Sequence, residues 1–511
     1  MHLSSAVRWA IQYLCLFMIS TFTVAAMADF EIVETKIDGQ GFWHNQIIFY
    51  PKADQIQSPR PIVVISHGNG HRYTYYKYLQ THLAKKGFIT MSHTNNTGPG
   101  IESASTTTLE NTEIFLAELD TLDGGVLKGL YDSKKIAWIG HSRGGEGVVR
   151  AYTRLLNKDF VPKNYTSENI QFISSIAPTT FLKAEKVNPE DVNYHMFVGA
   201  ADGDVNGRPN RIVMSMPIYE RAWGERQLTY VHGAGHNVFN DQSWDEGRGP
   251  KRLDRETVHE VSKSYYEILL NIYLNGDTQA MAMISNHNTL GRPQNIPSEV
   301  VIANEYRAHR MASKLFIVDD FQKEVELTKA SHGAVVSSNL NNMTESTLQD
   351  GNSSFSSLDS LNGLTRYIDQ VEPPIGAVFD WQGADYFLKY TLPQATNIEG
   401  LNALSFRAAQ ISRDPLNKLI AGSIHFSVVL IDGQGQKAEM STQDFGEITY
   451  PYAREGGWAA EFNTIRLPLD DFLKINPNLD LKSVEKVHFQ FGSNHGSESG
   501  RIALDDIEFQ I

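Results

Sequence analysis

The stretch Ala137-Trp138-Ile139-Gly140-His141-Ser142-Arg143-Gly144-Gly145-Glu146-Gly147 constrains the fold of this chain more than any other. Residues 136–139 form an unbroken apolar run, the pattern of a strand covered on both faces, and residues 146–156 follow with helical spacing. Ser142 therefore falls on the sharp turn that joins a buried strand to a helix. On such a turn the serine backbone is strained, and strand and helix pass too close for side chains, so glycines are needed at 140 and 144. The turn points the hydroxyl outward and requires a sheet with helices packed on it.

The flanking chain has the elements for such a sheet. A continuous apolar strand at 61–65 is followed by a helix at 75–86, a strand at 87–91 and a helix at 109–122 that leads to the Ser142 strand. Further strands are expected at 170–176, 194–199 and 227–231, with a helix at 257–274 closing the unit. Alternation of doubly buried strands with helices predicts a doubly wound, mainly parallel α/β sheet. Ahead of it, alternating residues within 30–50 predict an antiparallel hairpin. At roughly 150 residues per domain, 511 residues with 41% hydrophobic composition allow two or three domains. The α/β domain is expected at 29–277, followed by a connector at 278–310 with room for one short helix. From 311 to 511 the chain turns to short strands, at 315–318, 386–390, 404–408, 425–430, 464–467, 487–491 and 502–509, which predict an all-β jelly-roll sandwich. Residues 331–362, rich in serine and asparagine, are expected to form a long mobile loop.

Residues 1–28 combine Arg8, an apolar segment at 11–24 and Ala26-Met27-Ala28 ahead of Asp29, the pattern of a secretory signal cut after Ala28. The apolar segment is shorter than the ~20 residues of a membrane span, so no stable membrane insertion is expected after cleavage. The mature protein would be secreted or periplasmic. Bulky Leu14 ahead of Cys15 argues against a lipid anchor at that cysteine. Cys15 is the single cysteine, so the mature chain would have no disulfide, thiolate nucleophile or cysteine-bound metal. The net charge of -14 opposes nonspecific association with nucleic acid or anionic membrane.

A serine hydroxyl becomes a strong nucleophile only when a base takes its proton and a carboxylate orients that base. In doubly wound sheets the partners follow in the order Ser, Asp, His, from loops at the carboxyl ends of strands. Val231-His232-Gly233-Ala234-Gly235-His236-Asn237 leaves a strand for a glycine-containing loop, which makes His236 the candidate base. His232, nearer the strand, reads as a packed or hydrogen-bonded histidine, and His67, His71, His93 and His141 fall at the wrong place in chain order. The segment Phe197-Val198-Gly199-Ala200-Ala201-Asp202-Gly203-Asp204-Val205 offers two carboxylates, and Asp202 is favoured over Asp204 because it lies in the first turn beyond the strand. Asp202-Gly203-Asp204-Val205-Asn206-Gly207 also matches the opening of a calcium loop, although Val213 stands where the bidentate glutamate belongs. An oxyanion hole needs two backbone N–H donors. The candidates are the amides of Arg143, which follows the serine, and of Asn69, in Ser66-His67-Gly68-Asn69-Gly70 after the early strand.

With these parts in this order, residues 30–275 resemble the α/β-hydrolase superfamily. Gly140-His141-Ser142-Arg143-Gly144-Gly145 is similar to the serine motif of chlorophyllases, and His67-Gly68-Asn69-Gly70 to the oxyanion loops of cutinase-like polyester hydrolases and platelet-activating-factor acetylhydrolases. The resemblance implies a serine esterase that cleaves carboxylic esters through an acyl-enzyme, without cofactor or metal. Ser142 would be the nucleophile, His236 the base, Asp202 its carboxylate, and Asn69 and Arg143 the oxyanion donors. An arginine after the nucleophile also occurs in glucuronoyl esterases, whose cysteine pairs this chain lacks; a surface or salt-bridge role is expected for the Arg143 side chain. An amidase or peptidase on the same triad stays open, since both reactions pass through the same tetrahedral oxyanion. A glycan-binding or adhesion protein on an inactive hydrolase scaffold is the alternative from another class. About sixteen residues between Ala177 and Tyr194 leave no room for a cap, so the serine is expected to be open to soluble, short-chain or bulky, polymer-linked esters.

Residues 311–511 resemble the galactose-binding-like jelly rolls found as carbohydrate-binding modules, through Val318-Asp319-Asp320-Phe321 at the start and Ile502-Ala503-Leu504-Asp505-Asp506-Ile507 at the end. Trp458-Ala459-Ala460-Glu461-Phe462 and Ile465-Arg466-Leu467-Pro468-Leu469-Asp470-Asp471-Phe472 fit the same pattern. The resemblance implies a carbohydrate ligand, with Trp381, Tyr386 and Trp458 as candidate stacking residues and the aspartates as candidate calcium ligands. Core packing and turn formation are the competing roles for these side chains.

Overall fold

The structure, a computed structural model, describes residues 29–205, 216–285, 292–311, 314–322, 326–348, 375–411, 414–417, 422–446, 448–454 and 457–511. The expected signal segment with Cys15, residues 349–362 of the expected loop and the side chain of Trp458 lie outside them.

Apolar runs in the first part of the chain become the centre of a nine-stranded sheet. Strands β1 (Ile32–Ile37) and β2 (Gln46–Pro51) form an antiparallel hairpin. The next six are β3 (Arg60–Ser66), β4 (Ile89–His93), β5 (Tyr131–His141), β6 (Ile170–Ile176), β7 (Asn193–Gly199) and β8 (Arg226–Val231), mutually parallel where they pair. The sheet order is β1-β2-β4-β3-β5-β6-β7-β8-β9, with β9 (Ile302–Arg307) antiparallel on the far edge. The sheet is thus mixed, with a parallel centre and antiparallel edges. Both its faces are covered, which explains the unbroken apolar strands. Ile62 and Val64 of β3 and Ile136 and Trp138 of β5 join one core with helices α2 (Ile101–Glu118) and α3 (Arg143–Leu156). Their neighbours Val63, Ile65, Ala137 and Ile139 join the other, with α1 (Lys77–Lys85) and α5 (Arg255–Asn275). The period-two alternation of the strands assigns successive residues to opposite cores.

The chain leaves β3 towards β4 on one side and crosses back to β5 on the other. Loops after β3 and β5 therefore diverge at the carboxyl ends of adjacent strands, the place where such sheets open a crevice. Ser66 and His67 follow one strand and Ser142 the other.

Two expectations need correction. The span 278–310 is more than a connector: it holds helix α6 (Thr278–Ser285), which comes after the short α4 (Met216–Arg221) and α5, and also β9, which pairs with β8 from Val231↔Ile302 to Arg226↔Arg307. The mixed sequence Ile302-Ala303-Asn304-Glu305-Tyr306-Arg307 hid this strand, because its polar residues find partners on both sides: Asn304 with Tyr265 of the α/β unit, Glu305 with Arg407 of the second unit. Residues 331–348 are not one long loop either. They contain β11 (Val335–Ser338) and β12 (Asn341–Thr347), after β10 (Leu315–Asp319), and their pairing depends on strands far away in sequence.

The second unit continues with β13 (Ile375–Gln382), β14 (Tyr386–Thr396), β15 (Ala403–Gln410), β16 (Ser427–Asp432), β17 (Lys437–Ser441), the small hairpin β18 (Tyr452–Arg454) and β19 (Gly457–Ala459), β20 (Asn463–Pro468), α7 (Leu469–Ile475), β21 (Val484–Phe491) and β22 (Ser499–Gln510). One sheet runs β12-β13-β22-β15-β20, with β10 also on β22, and the other runs β11-β14-β21-β16-β17. Alternate residues such as Phe379, Phe406, Phe426 and Phe489 form the core of this β-sandwich. Trp381 belongs to that core with 0% exposure, its Nε1 donating to the Ser497 carbonyl, so it is not a surface sugar platform. The Tyr386 hydroxyl donates to the Gln382 carbonyl on its own strand turn.

Ionic contacts join the two units. Arg407 of β15 donates through Nε to Glu305 of β9 at 2.6 Å, through Nη2 to Glu220 of α4 at 2.7 Å and through Nη1 to Asp505 of β22 at 2.9 Å. Arg307 of β9 pairs with Glu220 and Asp506. Asp505 and Asp506 are therefore committed to arginines and not to the calcium role considered for them. Asp319 spends one oxygen on the backbone N–H groups of Phe321 and Ser331, as a turn former does.

Candidate active site

Ser142 sits between β5 and α3 with φ 54° and ψ -124°, outside the ordinary regions for a residue with a side chain. Its surroundings over-determine that conformation. The Ser142 N–H donates to the Ile176 carbonyl at 2.8 Å, and the Ser142 carbonyl accepts from Gly145 N at 2.8 Å and Glu146 N at 3.2 Å. Close approach fixes the flanking glycine: a Cβ on Gly144 would lie 2.3 Å from the Ser66 carbonyl oxygen. Gly68 presses on the serine from the other loop, where an added Cβ would come within 2.9 Å of Ser142 Cβ. Asn69 follows immediately, in the turn after β3. Because α3 starts at Arg143, the Arg143 amide is among the helix-start N–H groups that lack an intrahelical acceptor. The start of α3 thus offers N–H groups and positive dipole beside the hydroxyl.

His236 and Asp202 form a buried pair. His236 Nδ1–H donates to Asp202 Oδ2 at 2.7 Å, and Asp202 Oδ1 accepts the N–H groups of Asp204 at 2.8 Å and Val205 at 2.9 Å. Both Asp202 oxygens are engaged in this way, and the rest of the calcium-loop pattern, residues 206–213, lies outside the described residues. Burial opposes charge on His236, yet Asp202 beside it outweighs that and pushes its pKa up to about 9, with Asp204 and Glu246 adding to the rise. Burial likewise raises the Asp202 carboxyl, against the pull of His236 and of its backbone donors. Asp204, the other carboxylate considered, is 63% exposed and stands 3.6 Å from Nε2, the opposite nitrogen, so it does not set the tautomer. His236 Nε2 is buried without a hydrogen-bond partner among the described residues.

Glu246 is a third acid at this point, and sequence order gave no reason to select it. One donor atom each from Asp202, His236 and Glu246 falls within 4.8 Å of the others. Such a set can hold a cation in principle, but here Asp202 and His236 Nδ1 are bound to each other. Glu246 Oε2 accepts from Asn237 Nδ2 at 3.1 Å, while Oε1 is buried without a partner among the described residues. Burial first, then the neighbouring Asp202 and Asp204, push its pKa up to about 7, against the pull of His236.

Histidines set aside by chain order form the wall of the site. His71 Nε2–H donates to Asn237 Oδ1 at 2.8 Å, and the rings of His141 and His236 are centred 4.8 Å apart. Burial, followed by the charge on His236, drives His71 down to about 3 and His141 well below its ordinary value, so both are neutral beside a cationic His236. His67 has a fixed tautomer: the Asn95 N–H donates to Nε2 at 2.8 Å, so Nδ1–H donates to the Gly68 carbonyl. It anchors the loop that presses on Ser142.

Arg143 directs its side chain to a backbone carbonyl and an aromatic ring. Its guanidinium donates to the Thr97 carbonyl at 2.8 Å and lies over the Phe181 ring at 5.5 Å, and among the described residues no carboxylate pairs with it. It lines a groove of about 620 Å³ with Gly98, Ile101, Glu102, Phe181 and Leu182. Of the surface and salt-bridge roles expected for this side chain, no salt bridge is found among the described residues, and the half-buried side chain lines the groove instead. Buried Glu146 holds the far wall, accepting the N–H groups of Phe181 at 2.9 Å and Leu182 at 2.7 Å. Ser142 itself is 5% exposed, less open than the short Ala177–Tyr194 connection implies, because the Gly68 loop closes on it.

Among the described residues, no helix is long and apolar enough to cross a membrane. Comparison with protein-family models gives no match, and comparison with curated proteins gives none.

Proposed function

We propose that the chain is a serine hydrolase of the α/β-hydrolase type that cleaves carboxylic esters through an acyl-enzyme. One observation carries the reading. A serine strained at a strand-to-helix turn directly follows His141, whose ring is centred 4.8 Å from that of a buried histidine whose Nδ1 is held by a buried carboxylate and whose Nε2 has no hydrogen-bond partner among the described residues. In this reading Ser142 Oγ attacks the ester carbonyl while its proton passes to His236 Nε2. Asp202 stays ionised, keeps the ring in the Nδ1–H tautomer and stabilises the imidazolium. The negative oxygen of the tetrahedral intermediate accepts N–H bonds from Arg143 and Asn69, each worth roughly 10²–10³ in rate. His236 then gives the proton to the departing alkoxide, leaving an acyl group on Ser142. Water, activated by the same nitrogen, releases the acid and restores the serine. The signal-like residues 1–28 support export, and the sandwich would bring the enzyme to a glycan or polymer.

The test is labelling of the folded protein with a fluorophosphonate, mapped by intact mass and peptide analysis, beside a chain-length series of p-nitrophenyl esters. An adduct on Ser142 with turnover of short esters is expected. A folded sample that takes no label and turns over no ester would overturn the reading.

A further inference from the structure

The loop that follows His236 meets the second unit at a cavity of about 320 Å³, within the size range of small-ligand sites. Three rings line it. His232, at the end of β8, lies with its ring 5.5 Å from that of Tyr450 and 5.5 Å from that of Tyr452, and Pro250, Pro451 and Leu253 complete the apolar walls. His232 is 7% exposed, and burial holds its pKa down to about 3. A neutral imidazole thus brings one donor and one acceptor to an otherwise apolar space. At the edge, Arg252 is already paired with Asp245, which leaves Lys251 and Glu299 to offset each other.

These features restrict the occupant. A wholly apolar ligand would desolvate the imidazole and return no hydrogen bond, which disfavours it. An ionic ligand would meet no surplus of opposite charge. A pyranose ring meets both conditions, with a C–H face for an aromatic ring and hydroxyls around its edge. We propose that the seam between the two units binds a neutral pyranose ring, stacked on Tyr450 and hydrogen-bonded to His232. This places sugar binding at the junction and not on the exposed sheet of the sandwich. The wall is also tied to the candidate active site. The Tyr452 hydroxyl lies 3.1 Å from the Arg248 carbonyl and 3.2 Å from that of Lys251, and the Arg248 N–H donates to Ala201, the residue before Asp202.

The experiment uses the full mature chain carrying Ser142→Ala, so that binding at the seam is read apart from turnover. Saturation-transfer NMR and calorimetry are run with methyl glucoside, galactoside, mannoside and xyloside and the matching disaccharides, with benzoate as the charged aromatic control. At least one pyranoside is expected to bind in the millimolar range. Tyr450→Ala should weaken it about tenfold or more, Tyr450→Phe should retain it, and His232→Phe, which keeps a ring but removes its hydrogen bonds, should weaken it. Absence of any pyranoside binding at tens of millimolar, binding of benzoate alone, or binding unchanged in both Tyr450→Ala and His232→Phe would overturn the proposal. None of these outcomes depends on Ser142 being a nucleophile.

Discussion

Asp202 and Arg407 are both buried charges, and their surroundings treat them in opposite ways. Arg407 has a carboxylate on each of its three nitrogens, supplied by α4, β9 and β22, so its charge is spent on holding two units together. Asp202 holds one nitrogen of His236 and leaves the other open, with Glu246 Oε1 also unpartnered among the described residues. A buried polar atom without a partner costs about 1–3 kcal/mol. The seam uses its cation for cohesion, whereas the pocket leaves one imidazole nitrogen without a hydrogen-bond partner among the described residues.

The contrast can be broken first at its most sensitive point. Asp202→Asn should keep the fold but present the wrong histidine tautomer, and ester kcat is expected to fall by roughly 10⁴. Steady-state kinetics beside circular dichroism check this; a small loss would remove Asp202 from its role. At the other cluster, Arg407→Met leaves Glu305 and Asp505 buried without their cation and Glu220 with Arg307 alone. The expected loss is about 3–5 kcal/mol of stability, read from denaturant melts. Adding Glu220→Gln and Glu305→Gln should recover part of it, which a role in catalysis alone would not predict.

Finer tests concern the third acid and the exposed one. With His236 pushed up to about 9, the base is mostly protonated at neutral pH, so kcat/KM should rise as pH climbs toward that value. Glu246→Gln removes a negative charge that favours the imidazolium. The ascending limb of the pH profile should then move to lower pH by a fraction of a unit. Asp204→Asn, at an exposed carboxylate, should change kcat/KM by no more than about threefold. An Asp204 effect as large as that of Asp202 would contradict the assignment of the hydrogen-bonded partner.

Much of this arrangement could be read from the residues. Strands β3 and β5 declare themselves because both faces are covered, and Ser142 does so because only glycine fits where Gly144 passes β3. Asp202 and His236 were identifiable because parallel strands bring loops at their carboxyl ends together in a fixed order. Glu246 was not, since its place depends on how the irregular loop after His236 folds back. The same applies to β9, β11 and β12, whose sequences lack a clear apolar alternation and acquire their partners from distant strands. Trp381, for which core packing is one of the two competing roles, belongs to the core, and a tryptophan in a strand reads as platform or core until the opposite sheet is known.

Strand β9 also bears on where this chain can be divided. Its antiparallel ladder covers the last parallel strand, so a chain ending near residue 277 would expose the free N–H and C=O groups along one edge of β8. Such edges recruit strands from neighbouring molecules. The segment that begins the passage to the sandwich therefore serves the α/β unit as a guard against self-association, and Glu305 within it supplies one of the carboxylates on Arg407.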